Sequence, residues 1–171
     1  MRENFDKALQ LMLKHEGGFV NHERDPGGMT NLGVTKKVYE DWLGYEVTKQ
    51  DMMKLTPESV APIYLNNYWI KAGCDELPSG LDYVVFDWAV NSGVSRSSKG
   101  VQKCCGANPD GVIGPKTLEL VAGQDTKYMI EKFKEVRQNF YEGLNHFDTF
   151  GRGWTRRNDE ATEVALKMVE E

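Results

Sequence analysis

The sequence predicts a mainly α-helical fold with one small loop or hairpin region near residues 18–33. Three observations support this: apolar residues recur at helical spacing in several segments, turn residues are concentrated between those segments, and strand-like alternation is scarce. The length of 171 residues suits a single domain with a sizeable core. We expect one domain over residues 1–171, with a first part ending at residue 93 and a second, helical part over 94–171.

The first helix is predicted over residues 4–16, because Phe5, Leu9 and Met12 fall on one face. The glycine pair at 17–18 is expected to end it. A polar, turn-rich stretch then predicts a long loop with room for a short hairpin.

Two further helices are predicted before residue 80. The first is short, is capped by Thr35 or its neighbour, and ends at Trp42. The second begins at Thr56-Pro57-Glu58, where a capping hydroxyl, a proline in the first turn and an acid all suit a helix N-terminus.

The second half of the chain reads as a series of helices. Ser79-Gly80-Leu81-Asp82 resembles a capping box before an apolar stripe, and Asn91-Ser92-Gly93 closes that helix. Later helices are predicted over 95–104, from Pro115, over 125–144, and around Ala161 to Met168.

Charge and composition indicate which kinds of partner the chain can bind and whether its cysteines are reduced. The formal charge of −5 disfavours a nucleic-acid binder, and no apolar run is long enough for a membrane span. The charged start lacks the pattern of a signal peptide. Three cysteines that include an adjacent pair suggest reduced thiols rather than a disulfide framework.

Glu16 is the first candidate for chemistry. Its spacing from Leu9 and Met12 places the carboxyl on the apolar face of the first helix, in the last turn. Lost hydration and the negative end of the helix dipole both favour the protonated form there. A protonated Glu near neutral pH is what a general acid requires, although a solvated surface Glu is the alternative interpretation.

Asp25 lies nine residues later in a glycine-rich, polar loop that would keep its carboxylate ionised. Two carboxyls in opposite environments are the arrangement that glycoside hydrolysis uses. Thr30 adds a hydroxyl that could position a water molecule. An Asp-Pro-Gly-Gly segment that serves only as a turn is the alternative.

These residues belong to a longer pattern. Glu-Gly-Gly-Phe-Val-Asn is followed by Asp-Pro-Gly-Gly-x-Thr-Asn-x-Gly-Val-Thr. This pattern resembles the signature of the phage-type N-acetylmuramidases of glycoside hydrolase family 108. Further segments resemble the family in the same order; they are Tyr68-Trp69, residues 86–93, residues 110–117, and Gly153-Trp154-Thr155-Arg156-Arg157.

The resemblance implies a lysozyme-like helical fold that cleaves the glycosidic bond after N-acetylmuramic acid, with Glu16 as the catalytic residue. It implies a catalytic part over residues 1–93 and a peptidoglycan-binding part over 94–171. The roles of Asp25 and Thr30 follow the Glu, Asp, Thr order of other phage lysozymes, but the step from Asp25 to Thr30 is one residue shorter than in those enzymes. Peptidoglycan is the implied partner of a monomer that needs no metal or cofactor.

Tyr68, Trp69, Trp88 and Asn91 are the candidate substrate-binding residues. Aromatic rings stack on sugar faces, and amides bond acetamido groups. Trp88 also shares an apolar stripe with core residues, and Asn91 could equally act as a helix cap. Because Tyr68 and Trp69 point in different directions, we expect at most one of them to meet substrate.

The sequence leaves three further functions open. His15, His22, Asp25 and Cys74 are residue types that bind zinc, as in a wall peptidase or amidase, but their spacing matches no tight motif. A non-catalytic wall-binding module and a lytic transglycosylase would also fit the pattern. The family resemblance further implies accumulation in the host cytoplasm and release to the wall through a separate pore protein.

Overall fold

The computed structural model describes residues 1–21 and 28–171. The chain divides into two compact units. We call residues 9–66 the hairpin unit, and residues 1–8 with 67–171 the bundle unit. Helix α1 (Phe5–Leu13) begins in the bundle unit and ends in the hairpin unit.

The hairpin unit contains a small antiparallel sheet in the order β1-β2-β3. The strands are β1 (Val20–Asn21), β2 (Met29–Asn31) and β3 (Val34–Thr35). Three helices follow, namely α2 (Lys36–Leu43), α3 (Lys49–Met53) and α4 (Pro57–Tyr64). Each begins at a threonine whose hydroxyl accepts a backbone N–H three residues on, which satisfies a donor that the helix leaves unpaired.

The sheet is anchored to α3 by a buried side chain. Asn31 is 6% exposed, and its Nδ2 donates to the carbonyl of Met52 at 2.8 Å. Because a buried amide without a partner would be costly, this bond fixes the position of β2 against the helix.

Five α-helices follow one another in the bundle unit after residue 80. They are α5 (Leu81–Ser92), α6 (Val94–Cys105), α7 (Pro115–Ala122), α8 (Thr126–Glu142) and α9 (Phe147–Val169). Nine consecutive residues of α5 are buried, and α5 packs against α6, α8 and α9. A helix that is buried on every side forms the centre of its unit.

A buried charge cluster joins three of these helices. Asp87 of α5 is fully buried and pairs with Arg137 of α8 at 2.9 Å and with Arg157 of α9 at 3.0 Å. Burial alone would raise the pKa of Asp87, but the two guanidinium groups outweigh it and hold the pKa below its ordinary value.

The predicted mainly α fold with a small hairpin region is confirmed. The boundaries differ in three places. Helix α1 ends at Leu13 rather than near residue 16, α3 is additional, and α9 begins at Phe147, well before the predicted stripe. In addition, a π-helical segment (Leu65–Ile70) continues α4.

Two further features bear on the sequence predictions. All three cysteines lie in the described part, and each is a buried free thiol. No helix in residues 1–21 and 28–171 is long and apolar enough to cross a bilayer. The predicted division of the chain at residue 93 differs from the boundary between the two compact units, and it stays a prediction about function.

Candidate active site

Glu16 lies in a tight turn just beyond α1. The backbone N–H of His15 donates to Met12 at 3.0 Å, and that of Glu16 donates to Leu13 at 3.2 Å. These bonds span three residues rather than four, so the chain tightens as the helix ends. The Glu16 side chain is half-buried, and its position departs from the prediction of a place inside the last helical turn.

A two-residue hairpin turn faces this carboxyl. Asn31 pairs with Val34, so Leu32 and Gly33 alone connect β2 to β3. Their φ angles are +52° and +78°. Positive φ at both central residues defines a type I′ turn, whose twist matches that of the flanking strands. Glycine tolerates this backbone conformation without strain, whereas Leu32 adopts it at a cost.

Gly33 lies beside both the Glu16 carboxyl and the Tyr64 hydroxyl. A Cβ atom placed there would lie 2.5 Å from the Tyr64 hydroxyl oxygen, and 3.1 Å from both Cγ and Oε2 of Glu16. The missing side chain thus leaves room for the carboxyl and the phenol beside the same backbone atom. The carboxyl, the phenol and the turn form one packed group within the hairpin unit.

Tyr64 and the backbone hold this group together. The Tyr64 hydroxyl donates to the carbonyl of Leu32 at 2.7 Å, and the ring is 2% exposed. The N–H of Leu32 donates to the carbonyl of Gly17 at 3.1 Å. Gly17, which follows Glu16, and Tyr64, at the end of α4, are therefore both bonded to Leu32. These bonds restrict how far the carboxyl can move.

The other two predicted catalytic residues are Thr30 and Asp25, and the structure describes only Thr30. Thr30 lies in the middle strand, half-buried, and pairs with Val20 and Thr35. Side chains alternate along a strand, so Thr30 projects from the face opposite Asn31. Asp25 lies outside the described residues.

The predicted substrate-binding residues all lie in the bundle unit. Tyr68 is half-buried in the π-helical segment. Trp69 is fully buried, its ring packs edge-on against Phe5 and Phe86, and its Nε1 donates to Asp75 at 2.8 Å. With no exposed face, the Trp69 ring occupies the core rather than a sugar-stacking surface.

Trp88 and Asn91 also have structural partners. Trp88 is 1% exposed and packs edge-on against Phe133 and Phe140, which corrects its assignment as a stacking platform. The Oδ1 of Asn91 accepts from Ser92 at 2.7 Å and from the hydroxyl of Tyr141. Asn91 is half-buried, lies in the last turn of α5, and binds α8 there rather than capping the helix.

The sequence also offers His15, His22, Asp25 and Cys74 as possible zinc ligands. Among the described residues, no three His, Cys, Asp or Glu side chains cluster closely enough to hold a metal ion. Cys74 is fully buried in the bundle unit, and His22 and Asp25 fall outside the described part.

Comparisons with known proteins define the class. The family described as Glycosyl hydrolase 108 matches residues 9–93, and the Predicted Peptidoglycan domain matches residues 96–159. SagA of Brucella abortus has a solved structure that is 38% identical to the chain, with a TM-score of 0.88, over 100% of this chain and 98% of that one. No curated protein matches the chain.

A mainly helical chain with these two matches is a glycosidase that has peptidoglycan as its partner. It belongs to the glycosyl hydrolase 108 family, as its motifs suggested.

Sequence reasoning missed Gly33 and Tyr64. The candidates were chosen among the carboxyls, Thr30 and the aromatic and amide side chains that suit a sugar, and neither Gly33 nor Tyr64 was among them. The overlooked signal was the Leu-Gly pair between two short strand-like segments, which is the length and composition of a two-residue hairpin turn.

Proposed function

We propose that the chain is an N-acetylmuramidase, which hydrolyses the β-1,4 bond between N-acetylmuramic acid and N-acetylglucosamine, with Glu16 as the general acid. The observation that carries the proposal is the position of Glu16, half-buried against Gly33 and the phenol of Tyr64. Family membership supports hydrolysis of a glycosidic bond, and the match to a peptidoglycan domain supports the polymer.

The proposed reaction begins with proton transfer from the Glu16 carboxyl to the oxygen of the scissile bond. The bond from the anomeric carbon to that oxygen then breaks, and positive charge develops on the sugar ring. An ionised Asp25 would stabilise this charge or activate water, and Thr30 would orient the water. Addition of water and loss of its proton complete the hydrolysis.

The contacts of Glu16 suit such an acid because they fix its position. The turn that faces it is bonded to Gly17 on one side and to Tyr64 on the other. A carboxyl that must reach a glycosidic oxygen within hydrogen-bond distance benefits from restricted motion.

Mass analysis of fragments from purified peptidoglycan tests the proposed bond. A muramidase releases fragments with reducing N-acetylmuramic acid, each heavier by one water than the anhydro product of a lytic transglycosylase. Reducing muramic ends are the expected result. Anhydro-muramic ends, reducing glucosamine ends or released stem peptides would each contradict the proposal in a different way, and retention on the wall without any product would favour a binding module.

The biological setting is a separate part of the proposal. The resemblance to phage endolysins supports accumulation in the host cytoplasm and release to the wall through a separate pore protein. This part rests on the family pattern and not on the geometry of Glu16.

A further inference from the structure

The bundle unit contains a cavity of about 620 Å³ that the proposed reaction does not use. Helix α6 and the end of α5 form one wall, and α8 forms the other. Its volume falls in the range of small-ligand sites. The lining residues that bear on its ligand are Trp88, Gly93, Arg96, Lys99, Lys103 and Phe140.

The charge of this cavity is opposite to that of the chain. Arg96, Lys99 and Lys103 line it, and the lining includes no acidic residue. These cations are spaced by three and four residues along α6, so they share one face of the helix. Within the described residues, none of the three forms a salt bridge. A protein with a net charge of −5 thus concentrates three unneutralised cations in one concave site.

The cations are partly held in place. The guanidinium of Arg96 lies over the ring of Phe140 at 4.1 Å and donates to the carbonyl of Ser92 at 2.9 Å. Lys99 packs beside Gly111, where an added Cβ would lie 3.6 Å from its Cε. An ordered cation loses less conformational freedom when an anion binds.

The start of helix α6 adds to the preference of the cavity for an anion. Helix α6 begins beside the cavity at Gly93 with no side-chain cap, so its first N–H groups and the positive end of its dipole are available to an anion. Trp88 also lines the cavity, at its enclosed end, since the residue is 1% exposed. The uncapped start of α6 favours a ligand with negatively charged oxygens.

We propose that this cavity binds the carboxylates of the peptidoglycan stem peptide. The inference rests on the proposed function, because peptidoglycan supplies a short peptide with several free carboxylates next to each muramic acid. Three cations along one helix face suit closely spaced carboxylates better than a neutral sugar. The cavity would thereby favour strands that carry stem peptides over strands that lack them.

Calorimetric binding of a stem tetrapeptide to the full chain tests this assignment. The variant is Lys99→Gln with Lys103→Gln, and the control is Lys71→Gln with Lys116→Gln, which removes the same charge from exposed lysines outside the cavity. We expect the first pair to weaken binding about tenfold, which corresponds to about 1.4 kcal/mol, and the control pair to leave it within about twofold. Circular dichroism establishes that both variants are folded.

Several results would overturn the assignment. They are no binding of the peptide, equal binding of a peptide whose carboxylates are amidated, or equal loss in both variant pairs. Displacement of the peptide by equimolar inorganic phosphate would show a general anion site instead. Release of reducing ends from intact peptidoglycan by the parent chain is measured in parallel. Its absence would defeat the proposed hydrolase activity, whereas loss of peptide binding alone would defeat the cavity assignment.

Discussion

Two separate constraints require glycine at position 33. Its φ of +78° lies in the left-handed region, which any side chain adopts at a cost. Its missing Cβ also leaves space for the Tyr64 hydroxyl and the Glu16 carboxyl. The first constraint affects stability wherever such a glycine occurs, whereas the second bears on the position of the proposed acid.

Gly33→Ala is therefore expected to lower both stability and wall lysis. Left-handed strain costs about 1–2 kcal/mol, and the new methyl group would lie 2.5 Å from the Tyr64 hydroxyl oxygen, so the phenol or the turn must shift. Denaturant unfolding measures the first effect, and the rate of reducing-end release from peptidoglycan measures the second. We expect lysis to fall by about tenfold or more, as misplacement of a reacting group does.

Gly44→Ala provides the matched control for this prediction. Gly44 has a φ of +85° at the C-terminus of α2, and no atom lies within 4 Å of an added Cβ. It should lose similar stability and keep its lytic rate. An equal loss of lysis in the two variants would mean that strain alone, and not crowding of Glu16, explains the effect.

At the scale of elements, the bundle unit depends on one buried carboxylate. Asp87 is the shared partner of a guanidinium from α8 and another from α9. Arg137 also donates from Nε to the Tyr141 hydroxyl at 2.9 Å, which links the cluster to Asn91. Three helices are thus held together by one connected polar network.

Asp87→Asn is expected to destabilise the protein by about 3–5 kcal/mol, because it leaves a buried guanidinium without its counter-charge. Chemical denaturation measures the loss. Asp41→Asn is the control, since its ion pair with Lys37 is exposed and should contribute less than about 1 kcal/mol. Similar losses in the two variants would argue against a structural role for the buried cluster.

The same cluster predicts a pH dependence. The pKa of Asp87 in the folded chain is held below its ordinary value of 3.8. A depressed carboxyl pKa contributes stability that is fully present above the unfolded pKa and is lost as pH falls through the folded pKa. Stability from this group should stay level down to about pH 5 and decline below about pH 4. Denaturation at several pH values should show a shallower acid decline in Asp87→Asn, and an unchanged decline would contradict the assignment.

Sequence reasoning predicted most elements because their signals are local. Thr56-Pro57 begins α4 as expected, and α6 differs by one residue at each end from its predicted bounds. Local capping and periodicity determine such features, so a single sequence carries them. Glu16 is partly buried, but it lies beyond the end of α1, so the helical spacing that placed it on the face of Leu9 and Met12 does not explain this burial.

The residues that sequence reasoning misplaced depend on contacts between distant segments. Trp69 and Trp88 were candidate stacking residues, yet aromatic neighbours from other helices enclose both rings. The meeting of Glu16 with Tyr64 likewise joins positions far apart in the chain. No periodic pattern encodes which aromatic ring will be covered, because coverage depends on how the helices pack.

At the scale of the whole molecule, charge is unevenly distributed. The net charge of −5 disfavours contact with an anionic wall, while the α6 cavity gathers three cations. Local potential in a concave site can outweigh a modest total charge at short range, because salt screens charges beyond about 8–10 Å. The α6 cavity therefore gives the bundle unit a local positive potential that the net charge of the chain does not reveal.

The three thiols report on the folding of the whole chain. Cys74, Cys104 and Cys105 are buried, and burial raises the pKa of Cys104 to about 12 and that of Cys74 well above its ordinary value. Thiolates are the reactive form, so a thiol reagent at pH 8 should label the native protein very slowly and all three cysteines in denaturant. Rapid labelling of any cysteine in the native protein would contradict this burial.

Glu16→Gln tests the central claim most directly. Gln matches the size of Glu but cannot donate a proton to the glycosidic oxygen, so we expect reducing-end release from peptidoglycan to fall by about 10²-fold or more. Circular dichroism and unfolding should match the parent chain, and Glu46→Gln, an exposed carboxyl of the same unit, should retain full activity. Parental rates of release from a folded Glu16→Gln protein would contradict the assignment of Glu16 as the general acid.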